Sequence, residues 1–171
     1  GDARDASGNG NHGTFVDNAN ANAEGVFNNS FDFDGSGDYV SLSDNSLDDS
    51  LYNSDFTISL WVKPSFDLDT LADDSSNDAG LVSKWDVNPS AGGEFIFKMD
   101  TTTDNLQFAT RDNDAVVNSN SFGNKDSWNS NQWYHIIVVR NSTGYQFYVD
   151  GVDDGYTTDS DTFGSEDRDY S

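Results

Sequence analysis

The chain has 171 residues, no cysteine, and 31 acidic against 8 basic side chains, for a formal net charge of −23. That length suits one domain with a core of its own, no disulfide contributes, and so few cations argue against a nucleic-acid partner. Glu24, Glu94 and Glu166 are the only glutamates, so 31 − 3 = 28 of the acids are aspartate. This bias points to a protein of concentrated salt, a halophile, because the Debye length falls from about 10 Å at 0.1 M to about 3 Å at 1 M and self-repulsion weakens with it. The alternative is acidity that serves only solubility or a calcium-rich surface. An aromatic content of 13% and several clean strand patterns predict a folded chain despite the charge.

Residues 1–29 are rich in Gly, Asn, Ala and Asp and read mostly as loop, with one short strand at Thr14 to Val16 and another starting near Gly25. From Phe31 the pattern has a period of two. Phe31 and Phe33 share a face, Gly35-Ser36-Gly37 turns the chain, and Tyr39 to Leu42 alternates again, which predicts two hairpin-linked strands. Phe56, Ile58, Leu60 and Val62 then share one face of a strand and Thr57, Ser59, Trp61 and Lys63 the other, one of the two being core, until Pro64 ends it. Asp67 to Asn77 reads as a solvated loop, and Leu81 to Trp85, Phe95 to Met99 and Leu106 to Thr110 read as short strands.

Trp133 to Arg140 is the strongest strand signal, apolar on both faces as a central buried strand would be. Asn141 to Gly144 turns it back into Tyr145 to Val149 as a hairpin, and Asp150-Gly151 starts the next turn. Asp153 to Ser171 is polar, anchored by Tyr156 and Phe163. Trp61, Trp128 and Trp133 are expected in or against the core, His135 as a core histidine with its hydrogen bonds satisfied, and His12 as a loop residue offering its backbone. No apolar run approaches the roughly 20 residues that cross a bilayer and no signal-peptide pattern opens the chain, so this domain is not expected to insert in a membrane. Asn28-Asn29-Ser30 and Asn141-Ser142-Thr143 are glycosylation sequons that would suit the outside of a cell.

In this order, DASGNGNHGTF (Asp5 to Phe15), FDGSGDYVSL (Phe33 to Leu42), FTISLWVKP (Phe56 to Pro64), LVSKWD (Leu81 to Asp86), QWYHIIVVR (Gln132 to Arg140) and YQFYVDG (Tyr145 to Gly151) resemble the laminin G-like and pentraxin-like domains of the concanavalin A-like lectin/glucanase superfamily. The resemblance covers most of the chain. It implies an all-β antiparallel β-sandwich, a concanavalin A-like jelly roll, with residues 1–171 as a single laminin G-like domain. Members usually add an apolar strand before the position of Gly1 and another beyond Ser171. The expectation is that these terminal strands are trimmed from the sequence, the alternative that a neighbouring chain supplies them.

The Asp5 to Gly13 loop combines a carboxylate, amides and flexible backbone, the oxygen donors that a hard cation with six to eight ligands takes. By resemblance it holds a structural calcium ion through Asp5, Asn9, Asn11 and Gly13; the alternative is a Gly/Asn turn without metal. The pentraxin resemblance implies a second calcium at one rim, with Asp86 and Asn88 on one loop and Glu166 and Asp167 on another, where the ion would bridge to ligand hydroxyls or phosphate. Trp85 beside them could stack on a sugar face, and the alternative for these acids is a solvated surface.

Enzymes on this jelly roll carry carboxylates at alternate positions of one strand as acid and nucleophile or base. No such strand is read here, Glu94 stands alone before Phe95, Asp150 lies at a hairpin turn, and no nucleophile elbow is visible. The expected function is therefore non-catalytic: an extracellular or cell-surface recognition module for a glycan or a surface protein, calcium-assisted, next to other domains of a larger adhesin. The alternatives are a structural spacer that assembles through its sheet edges, and an accessory carbohydrate-binding module of a polysaccharide hydrolase.

Overall fold

A computed structural model of the chain describes residues 2–42, 54–67, 79–84, 94–111 and 117–158. The described residues contain strands and no helix, arranged in two compact units, residues 1–48 and 49–171.

In the first unit β1 (Gly13–Val16) pairs antiparallel with β4 (Tyr39–Leu42), Phe15 opposite Val40, and β2 (Asn20–Glu24) pairs antiparallel with β3 (Asn29–Asp32). The segments around Phe31 and Tyr39 are thus not partners in a hairpin, contrary to the sequence expectation. The cause lies in the turn between them. Asp38 accepts the Asp34 N–H on Oδ2 at 2.8 Å and the Asn18 N–H on Oδ1 at 2.7 Å, so the turn closes on a side chain and is tied to the approach to β2. Gly35 and Gly37 supply the positive φ (81° and 84°) that this tight loop requires.

The second unit holds two four-stranded antiparallel sheets. One runs β12 (Val152–Thr158), β11 (Gly144–Val149), β10 (Tyr134–Asn141), β5 (Phe56–Val62); the other runs β6 (Ala79–Lys84), β7 (Glu94–Met99), β8 (Leu106–Arg111), β9 (Val117–Phe122). Alternation places Tyr134, Ile136 and Val138 of β10 and Tyr145, Phe147 and Val149 of β11 on one side, facing Phe95, Phe97 and Met99 of β7 and Leu106 and Phe108 of β8. Rings span the two layers: Phe108 stacks on Tyr145 with centroids 5.0 Å apart, and Phe97 meets Phe147 at 6.5 Å. Phe56, Ile58, Leu60 and Val62 extend this core, which makes theirs the packed face of β5. Two inner faces filled this way make an all-β antiparallel sandwich.

The β10–β11 hairpin turns on Asn141, whose Oδ1 accepts the N–H groups of Thr143 and Gly144 and the Thr143 hydroxyl. The β11–β12 turn has positive φ at both Asp150 (52°) and Gly151 (78°), the backbone that an Asp-Gly pair favours between twisted strands. Trp128 is buried as expected, its indole N–H donating to the Asp104 carbonyl at 2.7 Å.

Two expectations fail on β5 and β10. β10 is central in its sheet, but only one of its faces is core: His135, Ile137 and Val139 on the other face are half-buried. Trp61, on the corresponding face of β5, is 44% exposed. Among the described residues of the second unit, the packed layer lies on one side of this sheet, so the other row stays half-buried or exposed whatever its apolar content. Trp133, also half-buried, lies under the Lys63 ammonium at 5.2 Å from the ring centroid.

Candidate functional site

The Asp5 loop is built from its carboxylate outward. Asp5 Oδ1 accepts the Ser7 N–H at 2.7 Å and Oδ2 the Asn11 N–H at 2.9 Å, so the chain wraps around the side chain. The Ser7 hydroxyl accepts the Asn9 N–H, and the Gly13 N–H closes the loop onto the Ala3 carbonyl at 2.8 Å. His12 does more than offer its backbone: its Nδ1 accepts the Asp5 N–H at 3.1 Å. Hydrogen bonds from the Ser7 side chain and backbone, and from the Asn11 backbone, hold the Asp5 carboxyl down at about 2.

The loop is where the resemblance implies a structural calcium ion. It brings Asp5 and Asn11 together, but through the Asn11 N–H, a donor, and it uses Asn9 and Gly13 likewise through their N–H groups. A calcium shell takes six to eight oxygens, which carboxylates, side-chain amides and backbone carbonyls can all supply. Among the described residues, no three His, Asp or Glu side chains stand where they could hold one metal ion. These hydrogen bonds set backbone donors around the Asp5 carboxylate.

The rim residues Trp85, Asp86, Asn88, Glu166 and Asp167 lie outside the described residues. What is described is the strand that leads to the first group: β6 ends at Lys84, immediately before Trp85. Among acids within the described residues, Asp32 and Asp34 do alternate, which the sequence reading passed over. Asp34 lies beyond the end of β3, however, and its Oδ1 accepts the Ser36 N–H at 2.8 Å as part of the turn.

The outward face of β5 and β10 carries a constellation that sequence reading missed. Trp61 and His135 are opposed in register and stack with centroids 4.9 Å apart at 20°, and His135 Nε2 hydrogen-bonds Ser59 Oγ at 2.8 Å. The signal was available, since Trp61 alternates with the four core residues of its own strand.

The comparisons with known proteins add one match. A laminin G family model described as the concanavalin A-like lectin/glucanases superfamily matches residues 34–170, from the turn before β4 through the whole sandwich. No curated protein and no solved structure matches the chain significantly. The superfamily is compatible with a carbohydrate- or protein-binding module, and laminin G-like domains are typically non-catalytic and often extracellular. Among the described residues no helix is long and apolar enough to cross a membrane, which leaves strands that cross as a barrel unaddressed. With most of its length matched and an antiparallel sandwich as its fold, the chain belongs to the laminin G-like domains of the concanavalin A-like lectin/glucanase superfamily.

Proposed function

We propose that residues 1–171 form one non-catalytic recognition module of a larger adhesin or cell-surface protein of a halophile, and that it binds a glycan or a surface protein outside the cell. The observation that carries this reading is the family match over residues 34–170. Calcium enters at the rim, where Asp86, Asn88, Glu166 and Asp167 would hold the ion and Trp85 would stack on a sugar. The ion would bring a positive charge and open coordination positions for paired hydroxyls. The protein's part is to orient those carboxylates and amides and to set the aromatic plane beside them. Single-site affinity would be weak and raised by repetition along the parent chain. A structural calcium ion at the Asp5 loop, held by Asp5, Asn9, Asn11 and Gly13, belongs to the same proposal, and what supports it is that the loop brings Asp5 and Asn11 together.

A glycan array probed in molar salt, with calcium and then with chelator, tests this function. Binding that requires calcium and is lost in the Trp85→Ala/Asp86→Ala double variant is the expected result. Binding that survives in that variant moves the site elsewhere, with Trp61→Ala as the next variant to probe. An array without hits, together with self-association in light scattering, would replace recognition by the spacer role. The halophilic part stands on its own measurement: melting should rise steeply between about 0.1 and 3 M salt, since screening reaches exposed like charges first.

A further inference from the structure

Asp100 and Asp154 of the second unit are both nearly fully buried, at 6% and 8% exposure, and they are settled differently. Asp100 has all it needs. Its Oδ1 accepts the N–H groups of Thr102 and Thr103 and the Thr103 hydroxyl, and Lys98 Nζ sits 2.8 Å from Oδ2. Burial pushes its carboxyl up, but the Lys98 and Thr103 hydrogen bonds outweigh burial and hold it below the usual carboxylate range. Asp154 Oδ1 accepts the Lys125 N–H at 2.8 Å, whereas its Oδ2 is buried with no hydrogen-bond partner.

The position of Asp154 explains why this residue matters. The register of β11 on β12 runs Phe147 to Gly155 and then Tyr148 to Asp153, so Asp154 is the extra residue of a bulge. A bulge re-aims a side chain out of the alternating rows. β12 is the edge strand of its sheet, β9 the edge strand of the other, and residues 123–125 follow β9 directly. The Asp154 carbonyl accepts the Asn124 N–H at 2.6 Å, and its carboxylate lies against Gly123, where an added Cβ would collide with Oδ2. Backbone and side chain of Asp154 thus fasten the edge of one sheet to the edge of the other.

Two charged groups act on it. Lys125, from the segment after β9, is the cation, but its ammonium lies over the Trp128 and Tyr134 rings, 5.0 and 5.5 Å from their centroids. Asp153, on β12 itself, is the anion, with its Oδ1 held by Gln146 Nε2 and the Gly155 N–H. Neither supplies a hydrogen bond to Oδ2.

We propose that Asp154 is a proton-linked clasp across the seam between the two sheets. With a proton on the carboxyl a neutral group bridges the edges; on ionisation an unpaired charge is left in the seam and loosens it. Burial pushes the Asp154 carboxyl up, the N–H groups of Lys125 and Asn124 and the Lys125 charge oppose this, Asp153 adds to the rise, and the net direction is above 3.8. The sign follows from linkage. A folded-state value above the unfolded one means the clasp contributes fully below the unfolded value and is lost as pH rises through the folded one. Salt screens exposed charges but reaches a buried one poorly, so the effect should persist in molar salt.

The full chain with Asp154→Asn keeps the acceptor for the Lys125 N–H and cannot ionise. Paired thermal melts from about pH 3 to about pH 8, in low and molar salt, should show the variant melting about 2–4 °C higher near neutrality. That advantage should vanish toward the acid end at both salt concentrations. A variant that melts no higher at neutral pH, or whose advantage is independent of pH, overturns the clasp. Carbon NMR of the wild-type Asp154 carboxyl decides the matter even if the variant fails to fold: a midpoint above 3.8 is expected, and one at or below it refutes the proposal.

Discussion

In the first unit Phe27, Phe31, Phe33 and Tyr39 stand exposed, whereas in the second Phe97, Phe108, Phe147 and Tyr145 are almost wholly buried. The first unit ties itself with carboxylates that gather backbone N–H groups, Asp5 in one loop and Asp38 in another. The second relies on apolar contact between two sheets. An aspartate-rich chain therefore uses its acids as the cores of turns, in the open at Asp5 and Asp38 and buried at Asp100, and carries a liability where a buried carboxylate oxygen lacks a partner, as at Asp154. The two kinds of region should answer differently to truncation, to crowding and to pH.

The largest effect should come from Phe97→Ala. Phe97 has no exposed surface and meets both Phe108 and Phe147, so its removal leaves a cavity between the layers. A loss of about 3–5 kcal/mol in denaturant unfolding is expected. A loss below about 1 kcal/mol, the level of an average substitution, would mean that the second unit is not held by its core.

Gly123→Ala comes next. The new methyl would meet the Asp154 carboxylate, and overpacking of this kind costs about 1–3 kcal/mol. In an Asp154→Ala background the obstacle is gone, so the two substitutions should be non-additive and the added cost of the Gly123 change should nearly vanish. Full additivity would separate Gly123 from the seam.

How much of this was legible in the sequence depends on how side chains report their surroundings. β5 and the β10–β11 hairpin were readable because β-branched and aromatic residues alternate along them, and Asp150-Gly151 announced its turn. β2 (NANAE), β9 (VNSNSF) and β12 (VDDGYTT) were not read as strands, because the outward positions of this chain carry Asn, Asp and Ser, which erase the contrast on which periodicity depends. Their pairing comes from neighbours in the sheet. The outward Trp61–His135 stack was misread because large apolar side chains suggest core, and which of two faces is packed is set by the other sheet. Asp154 was invisible: nothing in the sequence separates it from its many fellow aspartates, and it is the bulge and the burial that set it apart. For the same reason Asp86 and Asp167 rest on family resemblance alone.

The pH response of Asp5 is smaller and local, and it sharpens the contrast with Asp154. Hydrogen bonds from Ser7 and Asn11 lower its carboxyl from 3.8 to about 2. A depressed folded value gives stability that is present above the unfolded value and lost as pH falls through the folded one, the window from 3.8 down to about 2. The amide signals of Ser7 and Asn11 should titrate together with a midpoint near 2, and Asp5→Asn should abolish that transition while leaving the signals of the sandwich core in place. Amides that titrate at the ordinary carboxylate value would show that the loop is not closed on Asp5.

Phe27→Ala should do least. At 78% exposure Phe27 has little surface to return to water, so the change in stability should stay within about 0.5 kcal/mol. Phe31 is the instructive neighbour, because it lies edge-on between Phe15 and Phe33, with centroids 5.2 and 6.3 Å away. Edge-to-face pairs contribute about 0.5–1.5 kcal/mol beyond burial, so Phe31→Ala should cost measurably more than Phe27→Ala although both rings face solvent. Equal costs in urea titrations would mean that the ring chain contributes nothing, and that the first unit is held by its carboxylate-centred turns and strand pairing alone.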